Sequence, residues 1–279
     1  MEKIVVSIDG TSLNNNALDF ACYLGRLTNS KVTGAFLENL EASEKPVLEQ
    51  AHGITYMNWQ LDKDSREYKM KMEQLDKNIS LFKDFCENRS VRHSVHLDAG
   101  HPSKEIIGES RYADVVVMDA ETSFNKKFEG VPTEFVKEVL KDAECPVIIA
   151  PESFDGIDEI VFTYNGSKSS MFAIKQFCYL FPELDDKKIT VIQVDDDGLC
   201  PDEEVEKFKE WISGHYSSIG FQVLKGDTET ELFAQLFKRK NVFIVMGAYG
   251  RSALSQFFKH SRADLLIKAI TQAIFITHY

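Results

Sequence analysis

The string IVVSIDGT at residues 4–11 returns as IVFTYNGS at residues 160–167. At the same offset Ala17 falls on Ala173, and Cys22-Tyr23-Leu24 falls on Cys178-Tyr179-Leu180. The halves also close alike, with DVVVMDA (114–120) echoed by VFIVMGA (242–248) and CPVIIA (145–150) by AIFITH (273–278). This is a tandem duplication, so any fold offered for one half must serve the other. The 279 residues and 43% hydrophobic content suit two domains, each large enough to bury its own core. The boundaries read as 1–151 and 157–279, with Pro151–Asp158, acidic and containing Pro and Gly, as the linker.

In the first half, apolar residues 3–8 read as a strand, Leu13–Leu27 has helical spacing, and Lys31–Leu37 is strand-like again. The acidic stretch Glu38–Gly53 reads as irregular. Leu61, Tyr68, Met72, Leu75, Ile79, Phe82 and Phe85 then predict one long amphipathic helix over 58–88. Tyr56, Met57, Trp59, Met70 and Met72 lie on it or at its start, as core or as a partner-binding face. Strands at 91–97, 114–118 and 147–150, with helices after Pro102 and near 133–141, complete a βαβαβαβαβ order. The second half repeats it with strands near 159–164, 188–194, 220–224, 242–246 and 273–277. Alternation of this kind predicts an α/β fold, a parallel sheet with helices on both faces, and ligands at the carboxyl ends of the strands.

Composition narrows the function. With 32 basic against 44 acidic residues the net charge is -12, which disfavours nucleic acid and anionic membranes as partners. No apolar run approaches the roughly 18 residues of a membrane span, so the expected location is cytoplasmic. Five scattered cysteines without a CxxC spacing point to reduced thiols rather than a disulfide or zinc framework. His93 and His96 fall three apart on a strand and would face opposite sides, so no metal site is expected.

The segment with the most chemistry is VMGAYGRSALSQFFKHSRADLLIKAI, after the second half's fourth strand. Gly247 and Gly250 would let the backbone approach a ligand, and Ser261 opens a helix whose N–H groups could hold an anion. Arg251, Lys259, His260 and Arg262 gather cations there, which suits a phosphate. A tight turn after a buried strand is the plainer account of the same glycines.

Over essentially its whole length the chain resembles the universal stress protein family in its tandem two-domain form. IDGT and YNGS approximate the family's Asp-Gly-Ser at the first strand end, and Gly100-His101-Pro102 matches Gly-x-Pro before the third helix. Gly247-x2-Gly250-x9-His260-Ser261 parallels the Gly-x2-Gly-x9-Gly-Ser/Thr of nucleotide-binding members. The resemblance implies two Rossmann-like (adenine nucleotide alpha hydrolase-like) domains, each a five-stranded parallel sheet of order 3-2-1-4-5. It also implies an intramolecular pseudo-dimer with the fifth strands along the contact. ATP would sit in the second half, with adenosine against Thr163, Asn165, Val194 and Met246 and phosphates against Gly247, Gly250, His260 and Ser261.

The chain departs from that pattern twice. Asn165 replaces the family's Asp but keeps a side-chain carbonyl, and His260 replaces the third glycine. In the first half the corresponding loop, MDAETSFNKKFEGVPTEF, puts Asp119 and Thr122 at the glycine positions and Thr133 and Glu134 opposite His260 and Ser261. Its carboxylates would repel a triphosphate, so that half is expected to be empty, with Asp9 a strand-end or capping residue. No Ser-His-Asp, HExxH or Cys-His spacing marks a catalytic centre. The expected role is non-catalytic stress response, against two alternatives: a nucleotide-free scaffold, or a slow ATPase or self-phosphorylating enzyme using Ser261, Ser252 or Ser255.

Overall fold

A computed structural model describes residues 1–39, 44–51, 54–61, 63–125, 128–195, 201–226, 228–247 and 271–277. The first half runs β1 (Lys3–Asp9), α1 (Asn15–Leu27), β2 (Lys31–Asn39), β3 (Glu44–Ala51), β4 (Ile54–Leu61), α2 (Arg66–Asn88), β5 (His93–Gly100), α3 (Pro102–Ser110), β6 (Val115–Met118), α4 (Glu134–Asp142) and β7 (Val147–Ile149). The second runs β8 (Glu159–Thr163), α5 (Lys168–Leu180), β9 (Lys188–Asp195), α6 (Asp202–Ser213), β10 (Ile219–Lys225), α7 (Thr228–Leu236), β11 (Val242–Gly247) and β12 (Ala273–Thr277).

The main strands form a single ten-stranded sheet of order β10-β9-β8-β11-β12-β7-β6-β1-β2-β5. Within each half this is the expected 3-2-1-4-5 parallel order. The halves meet where β7 and β12 pair antiparallel, Ile148 opposite Phe275. Because every strand of a half points one way and the seam is antiparallel, the carboxyl ends of the two halves lie at opposite edges of the sheet. Pairing at the seam also satisfies two strand edges that would otherwise be open.

Alternation along the strands sorts the core into two layers. Ile4, Val6 and Ile8 join Ile160, Phe162, Phe243 and Phe275 under α1, α2, α5 and α6, whereas Val5, Val116, Val161 and Ile244 lie under α3, α4 and α7. The first layer is continuous across the seam, since Phe20 of α1 meets Phe243 of β11 edge to face at 5.6 Å. The segment after β7 is seated rather than loose. Phe154 packs against Phe20 and Tyr23 with ring centroids 5.0 and 4.7 Å away, and the Glu152 amide donates to the Thr271 carbonyl at 3.1 Å.

One expectation is corrected. The helix predicted over 58–88 starts only at Arg66, where the Ser65 hydroxyl accepts from the Tyr68 amide at 3.2 Å and caps it. Residues 54–61 before it form β4, paired antiparallel with β3 from Glu44↔Leu61 to Ala51↔Ile54, so residues 44–51 of the stretch read as irregular are one strand of a hairpin. Leu61 happened to fall on the helical period. The β-rich composition of ITYMNWQL and the His52-Gly53 dipeptide between the strands were the better signals. Tyr56, Met57 and Trp59 therefore belong to a strand, and their side chains lie outside the described residues; Met70 is on α2 and exposed.

Candidate functional site

Both halves end their first strand in the same local device. In the first, Asp9 Oδ1 accepts from the Thr11 amide and hydroxyl, each at 2.9 Å. In the second, Asn165 Oδ1 accepts from the Ser167 amide at 3.1 Å, and Gly166 takes φ of 75°, a left-handed turn that glycine adopts without penalty. A carbonyl oxygen does this work as well as a carboxylate, which is why Asn can stand where the other copy has Asp. Asp9 is a strand-end residue, as expected, but the helix cap is Asn14, whose Oδ1 accepts from the Asn16 and Ala17 amides.

Five of the nine predicted site residues come together at the carboxyl ends of β9, β8 and β11. Thr163 ends β8, fully buried, and its hydroxyl donates to the Val245 carbonyl at 3.2 Å. Asn165 follows it, half-buried, with its amide nitrogen unbonded among the described residues. Val194 continues β9 beyond its pairing with β8, in register with Leu224, and its side chain lies outside the described residues. Met246 and Gly247 continue β11 beyond its pairing with β8, Met246 partly buried against the α3, α4 and α7 layer. Gly250, Arg251, His260 and Ser261 lie outside the described residues.

Gly247 has a packing role that the sequence did not reveal. A Cβ there would come within 2.4 Å of the Ser169 carbonyl carbon and oxygen and 2.6 Å of the Ser170 nitrogen, all backbone. The cause is an extra turn of helix. At the repeat offset Lys168 corresponds to Ser12, yet α5 begins at Lys168 while α1 begins only at Asn15. Ser167 caps the early start by accepting from the Ser170 amide at 3.1 Å. The first half makes the equivalent contact with side chains, Asn14 Nδ2 donating to Asp119 Oδ2 at 2.7 Å.

The first half's strand-end hollow, about 150 Å³, is lined by Asn14, Asn16, Asp119, Glu121 and Glu152 among others. Its loop is closed on itself, because Thr133 caps α4 through the Val136 amide, donates its hydroxyl to the Thr122 carbonyl and its amide to the Ala120 carbonyl. Among the described lining residues Asp119, Glu121 and Glu152 meet no cation, and carboxylates so placed repel a phosphate. His96 bonds Glu109 at 2.9 Å and His93 faces the Phe82 ring, so the two do not converge; among the described residues no group of three His, Cys, Asp or Glu is placed to hold a metal. No described helix is long and apolar enough to cross a membrane.

The geometry defines a tandem doubly wound α/β protein with one continuous sheet and two dissimilar strand-end sites. Among solved structures the chain is similar to a universal stress protein from Archaeoglobus fulgidus DSM 4304, with a TM-score of 0.66 and 17% identity over 99% of this chain and 98% of that one. It is also similar to a functionally unknown protein from Pseudomonas aeruginosa PAO1, with a TM-score of 0.56 and 12% identity over 99% of this chain and 92% of that one. No family model and no curated protein matches the sequence. At these identities the shared property is the fold.

Proposed function

We propose that the chain is a tandem universal stress protein, a cytoplasmic, non-catalytic stress-response protein that binds ATP or another adenine nucleotide at the carboxyl edge of its second half. The observation carrying this reading is the convergence of Thr163, Asn165, Val194, Met246 and Gly247 at three adjacent strand ends, where strand order reverses in the doubly wound sheet. The Asn165 amide, and the backbone of β9 and β11 beyond their pairing with β8, present donors and acceptors suited to a base or ribose. The full-length likeness in fold to a universal stress protein supports the same assignment, with the β7–β12 seam serving as the contact of an internal pseudo-dimer.

Calorimetric titration with ATP tests it. One site per chain is expected, weakened by Arg251→Ala and tightened by His260→Gly; an isotherm that neither change affects would remove the site. A second reading, a nucleotide-free scaffold, is favoured by the packing of Gly247 against α5, which accounts for that glycine without a ligand. It predicts no rise in melting temperature with ATP.

A further inference from the structure

A cleft of about 440 Å³ opens between α5 and α6, on the other face of the sheet from the layer that holds Met246. The duplication shows what made it. Alignment of the buried helix pairs Phe82/Cys86 and Phe208/Ile212 places Leu75 and Asn78 of α2 over Pro201 and Glu204. In the first half α2 closes down on the strand end: Asn78 Nδ2 donates to the Gly10 carbonyl at 2.9 Å, and Leu75 Cδ1 would lie 2.9 Å from a Cβ on Gly10. In the second half α6 begins only at Asp202, Pro201 stands in place of Leu75, and at the position of Asn78 the Glu204 carbonyl accepts from the Tyr164 hydroxyl at 3.4 Å.

The charges change in step. In the first half Arg89 binds Asp19 at 2.5 Å and lies over the Phe85 ring, strapping α2 to α1. The corresponding residues are His215, Lys175 and Trp211. His215 packs on Trp211 at 4.3 Å between ring centroids, and Lys175 is half-buried in the cleft wall without a carboxylate partner among the described residues. Behind them Tyr164 and Phe208 stack at 4.1 Å with planes 11° apart, making a rigid floor. A strap has become an open aromatic slot with a cation at its side, in a chain of net charge -12.

We propose that this cleft binds a small aromatic carboxylate, the ring lodged against Trp211 and its carboxylate paired with Lys175. The volume suits a one- or two-ring molecule between Phe208 and Trp211, and the charged lining, Lys168, Lys175, Lys207 and Glu204, is net cationic, with Glu204 already paired to Lys207 at 3.2 Å. An ammonium beside an aromatic wall holds a carboxylate more strongly than it would in open solvent. The site shares no residue with the proposed nucleotide site and does not depend on it.

The test is calorimetric titration of the full chain with 2-naphthoate, beside neutral 2-naphthol. Saturable one-site binding of naphthoate is expected, with naphthol about tenfold weaker or more for want of the charged pair. Lys175→Met, which keeps the apolar stem, is expected to lose about tenfold. Lys175→Asp with His215→Arg, which rebuilds the first half's strap, is expected to abolish binding without lowering the melting temperature. No saturable binding by the wild-type chain, or equal binding by Lys175→Met, would overturn the proposal. So would competition by ATP, which would put the probe at the strand ends instead.

Discussion

Replacing Gly247 by Ala separates packing from ligand binding as the reason for that glycine. The added methyl would sit 2.4 to 2.6 Å from backbone atoms of Ser169 and Ser170, inside any tolerable contact. Backbone cannot rotate away as a side chain can, so relief requires shifting the first turn of α5 or unwinding it from its Ser167 cap. Overpacking of this kind costs about 1–3 kcal/mol, and the upper end is expected where both strand and helix are held by hydrogen bonds. At about 2.1 cal/mol/K of unfolding entropy per residue, a 3 kcal/mol loss lowers the melting temperature by about 5 °C if the chain unfolds as one unit.

Two controls bracket the effect by thermal and urea denaturation without nucleotide. Gly10→Ala meets the end of the Leu75 side chain at 2.9 Å, which can turn aside, and the Leu37 carbonyl oxygen only at 3.4 Å, so a loss under about 1 kcal/mol is expected. Gly108→Ala lies inside α3 with nothing within 4 Å, so it is expected to stabilise by about 0.5–1 kcal/mol. If Gly247→Ala melts with the wild type while Gly108→Ala rises, the helix does not press on the strand end and the packing account is refuted. Loss of ATP affinity alone, with stability intact, would then assign the glycine to the ligand.

Other consequences follow from named contacts. Glu159, resisted by burial but held by Thr190, Arg239 and Lys188, keeps its carboxyl below the usual range; its stabilisation is present above about pH 4.3 and lost as pH falls through the depressed value. Glu159→Gln is therefore expected to cost about 2 kcal/mol at pH 7, with the gap from wild type narrowing below pH 4 in pH-resolved melts. Phe20→Ala, which removes the ring shared by Phe154 and Phe243, is expected to cost about 3–5 kcal/mol and to lower the unfolding of both halves together by calorimetry. Burial raises the Cys145 and Cys178 thiols to about 12 and about 11, so both are expected to resist iodoacetamide at pH 8 until urea is added, as read by peptide mass.

The repeat made the strands and their order legible, because a parallel sheet needs continuous apolar runs at regular intervals and both copies supply them. Helical periodicity misled only at residues 58–65, where a few apolar positions fitted two periods and β-rich composition was outweighed. At the site, the strand-end residues were legible because turn chemistry is local: Asp9 and Asn165 each bond an amide two residues on. What tertiary contact decides was not legible. Nothing in the order of residues says that Gly247 faces Ser169, or that Asn14 reaches across to Asp119.

Those two contacts are alternative solutions to one problem, holding the first helix against the fourth strand, and the choice has consequences at a distance. A side-chain bond in the first half lets α1 start late and spends a carboxylate, Asp119, at the mouth of the strand-end hollow. Backbone packing in the second half leaves that mouth without the carboxylate but brings α5 forward by three residues, Lys168 among them. Lys168 then lines the cleft between α5 and α6, where Asp19 and Arg89 have given way to Lys175 and His215. Loss of the carboxylate at the strand end and the placing of Lys168 in the cleft thus share a structural origin in the N-terminus of α5. Shortening that helix, for example by Ser167→Ala to remove its cap at a cost of about 1 kcal/mol, is expected to loosen both the Gly247 contact and the cleft wall at once. Amide hydrogen exchange in which β11 and α5 respond independently would break the link.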